Sequence, residues 1–139
     1  MSVAFVLGNG LSRKPIPFDP LKKIGKVYAC NAVYRQNTPD YLVAVDAKMI
    51  NEICDAGAQL RMPVWTNPIH AYKKFKRLNY FEPSLGWSSG PTALWLACSH
   101  NHQMIYLLGF DFLGTEQGKL NNIYGDTPNY KKNSDTATY

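Results

Sequence analysis

The residues best suited to chemistry in this chain stand just after short apolar runs. Gly8-Asn9-Gly10 follows Val3–Leu7, Asn31 follows Val27–Cys30, Asp46 follows Tyr41–Val45, and Gly109-Phe110-Asp111 follows Met104–Leu108. Ser88-Ser89-Gly90 precedes a further apolar stretch, Pro91–Ser99. Small and amide-bearing residues dominate this set. They let backbone approach a polar ligand closely and offer it N–H groups. Gly8-Asn9-Gly10 begins like a dinucleotide fingerprint, but Arg13 stands where the third glycine would fall, and Asn31 where a ribose-binding carboxylate is expected. No Gly-Lys-Ser/Thr follows, so the turn is not a P-loop. What remains is a tight turn that exposes backbone amides. Ser88, Ser89 and Gly90 could cap a helix or receive an anion at its N-terminus. Asp46 and Asp111 could each cap a helix, bind ribose hydroxyls or act as a base. No helix signal follows Asp111, which favours a functional role there.

The remaining reactive residues are less suggestive. His100 and His102 flank Asn101, and two residues apart is poor metal geometry without a third ligand. His70, after Asn67-Pro68-Ile69, reads as a loop residue and is the one histidine placed to serve as a base. Cys30, Cys54 and Cys98 are too few and too scattered for a disulfide framework or a zinc site. Each lies among apolar residues, so all three read as buried, reduced thiols of a cytoplasmic protein. Tyr72-Lys73-Lys74-Phe75-Lys76-Arg77 could be a nucleic-acid patch. A solvated face or a rim that attracts small anions is the simpler reading.

These groups need elements to hold them. The chain has 139 residues, 45% hydrophobic and 18% charged, with a net charge of +5. That is one domain with enough apolar mass for a core, which excludes general disorder. Twelve of the fifteen basic and six of the ten acidic residues lie in 1–90. A positive bias of this size fits an anionic small ligand better than a nucleic-acid groove. No apolar stretch reaches membrane-spanning length, and no signal-peptide pattern surrounds Val3–Leu7. Continuous apolar runs ended by glycine are the mark of strands buried on both faces of a parallel sheet. Val3–Leu7, Val27–Cys30, Tyr41–Val45 and Met104–Leu108 fit this pattern. Arg61–Trp65 is interrupted by Pro63 and is expected at an edge. Helices are expected at Ala47–Ala56, between Asp46 as N-cap and Gly57 as stop, and at Pro91–Ser99. Leu21–Ile24 and Tyr72–Arg77 are weaker helical segments. The predicted fold is an α/β, Rossmann-like three-layer sandwich with a mainly parallel sheet of about five strands. Residues 1–113 form the single nucleotide-binding domain, and the polar segment 114–139 forms a loop or tail. In such sheets ligands bind beyond the carboxyl ends of the strands.

Four segments in order carry a family resemblance: Gly8-Asn9-Gly10-Leu11-Ser12, Cys30-Asn31-Ala32-Val33-Tyr34, Ser88-Ser89-Gly90, and Leu108-Gly109-Phe110-Asp111-Phe112. Together they resemble the motif series of bacterial lipooligosaccharide-type sialyltransferases. The related pterin diphosphokinase-like family shares the first turn. The resemblance covers residues 3–34 and 86–113, with a weaker echo in the Tyr-rich tail. It implies a pocket for CMP-sialic acid or another nucleotide-sugar, with no metal or other cofactor required. Asn9 and Asn31 would meet the phosphate and sugar, Ser89 and Gly90 the donor, and Gly109 with its neighbours the nucleoside. Tyr124 and Tyr130 would steady the leaving phosphate. The chain departs from the family at Leu11, where proline is usual, and at Leu113, where tyrosine is frequent. The family's base is a histidine beyond the last of these strands, and no histidine follows His102. Asp111, or a water activated by the acceptor, would have to replace it. The chain thus reads as a minimal or truncated relative, such as a small viral protein. Lacking the family's usual cover, it would be suited to forming a homo-oligomer. Two further expectations stand beside the transferase: a binding module that keeps the pocket without the base, and a diphosphokinase-like enzyme using ATP and magnesium with Asp46 and Asp111 as carboxylates.

Overall fold

A computed structural model describes residues 2–112 and 121–130. Six strands form one all-parallel sheet: β1 (Val3–Leu7), β2 (Lys26–Cys30), β3 (Tyr41–Val43), β4 (Val64–Thr66), β5 (Leu78–Tyr80) and β6 (Met104–Leu108). Their order across the sheet is β5-β4-β3-β2-β1-β6. The fold is therefore the expected α/β, Rossmann-like sandwich, with one strand more than the sequence suggested. Three helices, α1 (Phe18–Ile24), α2 (Ala47–Asp55) and α3 (Ser89–Ser99), join the strands together with short 3-10 turns.

Strand alternation sorts the core into two halves. Phe5, Leu7, Val27, Ala29, Leu42 and Val64 point to one face, where they pack with Met49, Ile50 and Ile53 of α2 and with Phe18 and Leu21 of α1. Ala4, Val6, Tyr28 and Val43 point to the other, against Ala93, Leu96 and Ala97 of α3. Two helices on one face and one on the other follow from right-handed crossovers, because the chain reverses its direction across the sheet after β5. Each fully buried aliphatic side chain contributes about 1.5–3 kcal/mol relative to exposure.

Two expectations are corrected. The strand around Pro63 is not an edge: β4 pairs with both β3 and β5. Pro63 stands just before the first paired residue, where no ladder N–H is needed, and its carbonyl accepts the Leu42 N–H at 2.9 Å. The true edge on that side is β5, whose three residues carry a central Asn79 and gave no strand signal. The thiols also differ: Cys30 and Cys54 are buried, but Cys98 is exposed, because it lies on the outer side of α3. The basic run folds as a 3-10 turn, His70–Lys74, with Lys73, Lys74, Lys76 and Arg77 all in solvent.

Candidate functional site

The strand order places the reversal between β1 and β6, the two strands that carry the glycine turns. A crevice at such a reversal, beyond the strands' carboxyl ends, is where open α/β sheets bind ligands. Here the two turns close onto each other. Gly8 N–H donates to the Leu108 carbonyl at 2.7 Å, and Gly10 N–H to the Gly109 carbonyl at 2.8 Å. A Cβ on Gly8 would lie 2.5 Å from the Gly109 oxygen, and one on Gly109 equally close to the Gly8 oxygen. Gly109 also takes φ +78°. Glycine at both positions is a packing requirement.

Asn9 is buried, and its amide is used within the protein. Its Nδ2 donates to the Cys30 carbonyl at 3.2 Å, and its Oδ1 accepts from Arg13 Nη2 at 2.8 Å. Arg13 Nε also donates to the Gly8 carbonyl at 2.6 Å. The residue that breaks the dinucleotide fingerprint thus braces the turn and brings a guanidinium into the crevice. Burial pushes the Cys30 thiol up to about 12, the nearby guanidinium opposing the shift only in part. Cys30 is therefore a packing residue with no thiolate character.

Asn31 begins a 3-10 turn in the left-handed region, φ +57°, a conformation asparagine tolerates better than most residues. Its Oδ1 accepts from Ser89 Oγ at 3.1 Å, and Ser89 Oγ in turn accepts the Val45 N–H at 3.2 Å. One buried hydroxyl therefore ties the ends of β2 and β3 to the start of α3. The expected hydroxyl caps are not made: neither Ser88 nor Ser89 caps α3 with its side chain. The Ser88 carbonyl instead accepts from Thr92 N–H and Thr92 Oγ1. Asp46 likewise occupies the N-cap position of α2 with no side-chain capping bond, and its side chain is exposed. Beside it Tyr72 reaches the Val45 carbonyl, at 3.4 Å. Gly90 lies against the Phe110 ring, and a Cβ there would stand 3.2 Å from the nearest ring carbon.

Asp111 is held. One carboxylate oxygen accepts the Ser12 N–H at 2.9 Å, and the other accepts the Ser12 hydroxyl. This ties the β6 turn to the β1 turn and occupies the group expected to act as base.

Residues 121–130 pack back onto the rim. Ile123 N–H donates to the Asn9 carbonyl at 2.8 Å, Leu11 N–H to Asn121 Oδ1 at 2.8 Å, and Ala32 N–H to the Tyr130 hydroxyl at 3.2 Å. Tyr124 is buried in the core, and burial pushes the Tyr130 phenol well above its ordinary range. Arg35 fastens the segment. Its guanidinium lies 5.9 Å and 5.8 Å from the Tyr124 and Tyr130 ring centres, and it donates to Thr127 Oγ1 and the Pro128 carbonyl. It also grips Glu52 on α2 through Nε and Nη2, at 2.9 and 2.6 Å. Tyr34 and Asn129 donate to the same carboxylate. The Arg35 hydrogen bonds lower the Glu52 pKa to about 2.

The structure thus brings together Gly8, Asn9, Gly10, Gly109, Phe110 and Asp111 at one junction and Asn31, Ser89 and Gly90 at the next, with Tyr124 and Tyr130 behind them. Asp46 and Ser88 are exposed. Sequence reasoning missed Arg13 as a brace, and it missed Arg35 and Glu52 altogether; Arg35 gave no signal because its partners lie up to 93 residues away. Leu113 and residues 131–139 lie outside the described residues. Two open cavities lie off the rim. One, of about 590 Å³, runs along α2 beside Glu52. The other, of about 390 Å³, lies between Trp65, Phe81 and Trp95. His100 and His102 converge elsewhere, on the Tyr28 hydroxyl, at 2.5 and 2.8 Å. No helix among the described residues is long and apolar enough to cross a membrane. Compared with protein-family models, curated proteins and solved structures, the chain matches none.

Proposed function

We propose that the rim at the carboxyl ends of β1, β2, β3 and β6 binds a nucleotide or nucleotide-sugar, and that the protein is glycosyltransferase-like, acting on a CMP-sugar donor. One observation carries this reading: the two glycine turns meet at the reversal of strand order, with the Asn31–Ser89 junction and the start of α3 beside them. The Ser89 and Gly90 N–H groups would receive the phosphate, aided by the partial positive charge of an eleven-residue helix. Arg13 adds a full positive charge, and among the described residues its side-chain hydrogen-bond partners are the Gly8 carbonyl and Asn9 Oδ1. Asn31, whose amide N–H groups donate to no partner among the described residues, would reach the sugar. The site rests on convergent polar groups.

A nucleotide-binding module without transfer is the second reading, and one observation favours it. Both oxygens of Asp111 are taken by Ser12, and transfer by direct displacement requires a positioned base. Thermal shifts with CMP, a CMP-sugar, a UDP-sugar, and ATP with and without magnesium test binding, because a ligand at about 100 times its Kd adds about 2.7 kcal/mol of stability. A melting temperature unmoved by every nucleotide at millimolar concentration refutes both readings. Asn31→Gly keeps the left-handed backbone and should abolish any shift; an unchanged shift would move the site elsewhere. Release of CMP from a CMP-sugar separates transferase from module.

A further inference from the structure

Among the described residues, the two edges of the sheet are built differently. The β5 edge is three residues long, with a polar Asn79 at its centre, and follows Lys73, Lys74, Lys76 and Arg77. Short length and flanking cations are how proteins keep an edge strand from pairing with another chain. The β6 edge has neither guard. It is five residues long, and no charged residue lies between Gln103 and Phe110. Met104, Tyr106 and Leu107 are 42%, 48% and 48% exposed. These residues lie on both faces. Met104, Tyr106 and Leu108 pair with Val3, Phe5 and Leu7 and share their face, whereas Ile105 and Leu107 share the face of Ala4 and Val6. A strand that is apolar on both faces belongs inside a parallel sheet.

We propose that β6 pairs antiparallel with β6 of a second copy across a two-fold axis at Tyr106, joining two six-stranded sheets into one. The strip is complementary to itself. About that axis Tyr106 faces Tyr106 of the copy, Ile105 faces Leu107, and Met104 faces Leu108, so every cross-strand pair is apolar. The backbone agrees. Met104 N–H and the Leu108 carbonyl are turned inward, to Ser2 and Gly8. By alternation, the N–H and C=O groups of Ile105 and Leu107 point outward. In this register Ile105 of one copy and Leu107 of the other form hydrogen-bonded pairs, and Tyr106 sits at the non-bonded centre, where side chains approach closest. The strip itself carries no charge, so this pairing sets no charged side chains of the two +5 copies against each other. An isologous contact also closes at two copies, whereas β6 adding to the β5 edge of the next molecule would run on without end.

Sedimentation velocity on the full chain under reducing conditions tests this, the reductant preventing cross-linking through exposed Cys98. The expected species has twice the 15.7 kDa chain mass. Tyr106→Lys and Tyr106→Glu each place like charges across the axis and should weaken association by about 100-fold or more. Mixing the two variants should restore a dimer. A wild type that is monomeric from micromolar to hundreds of micromolar, or variants that associate as the wild type does, overturns the proposal. Should the variants not fold, amide exchange on the wild type decides. The Ile105 and Leu107 amides should become protected as concentration rises, and protection independent of concentration refutes the pairing.

Discussion

Glu52→Gln should loosen the segment that closes the rim, and its effect should fade in acid. Glu52 accepts hydrogen bonds from Arg35, Tyr34 and Asn129, and Arg35 in turn holds Thr127 and Pro128. The carboxyl is held at about 2 against an ordinary 4.5. Taken whole, that displacement corresponds to about 3 kcal/mol of stability. Both partners of the ion pair are about a fifth exposed, so solvent screening reduces this to about 1–2 kcal/mol. The sign follows from the direction: the folded carboxyl is the stronger acid. Its contribution is therefore complete above about pH 4.5 and is lost as pH falls towards about 2. Glutamine keeps the shape but not the charge, so the variant should melt about 3–8 °C lower at pH 7. Urea unfolding of both proteins from pH 7 to pH 3 supplies the test. The gap between their midpoints should hold to about pH 5 and then narrow. A gap of the same size at pH 3 and pH 7 would mean that the carboxylate charge does not hold the segment, and the account of Arg35 as its fastening would fall.

Two other perturbations probe the junction and the core. Gly109→Ala meets both the left-handed backbone and the Gly8 carbonyl at 2.5 Å, so it should cost more than about 2 kcal/mol in urea unfolding and remove any nucleotide-induced shift; an unmoved midpoint would contradict the close approach of the turns. In the native protein a thiol reagent should modify exposed Cys98 alone, because burial encloses Cys30 and Cys54 and pushes their thiols up to about 12 and about 11; labelling of Cys30 at the rate of Cys98, read by peptide mapping, would show that the core opens there.

The apolar runs alone determine four of the six strands. Val3–Leu7, the run ending at Cys30, the run from Tyr41, and Met104–Leu108 are strand-sized and buried-strand in type, and each becomes a parallel strand. The glycines and asparagine that follow them are legible for the same local reason, because a turn needs those residues whatever surrounds it. Three-residue β5 was not legible, because its strand state comes from pairing with β4 rather than from its own pattern. The exposure of β6 was not legible either. Composition makes it a buried strand, and only the strand order leaves it at an edge.

What the tertiary structure decides is which polar groups are already engaged. The sequence offered Ser89 as a cap and Asp111 as a base. Ser89 binds Asn31, 58 residues away, and Asp111 binds Ser12, 99 residues away. Arg35, silent in the sequence, gathers α2 and residues 121–130 into one network. A hydrogen bond depends on distance and direction, and for partners so far apart in the chain both are set by the packing of the sheet and its helices. The sequence determined where polar groups would cluster; the fold determined which of them remain free to meet a ligand.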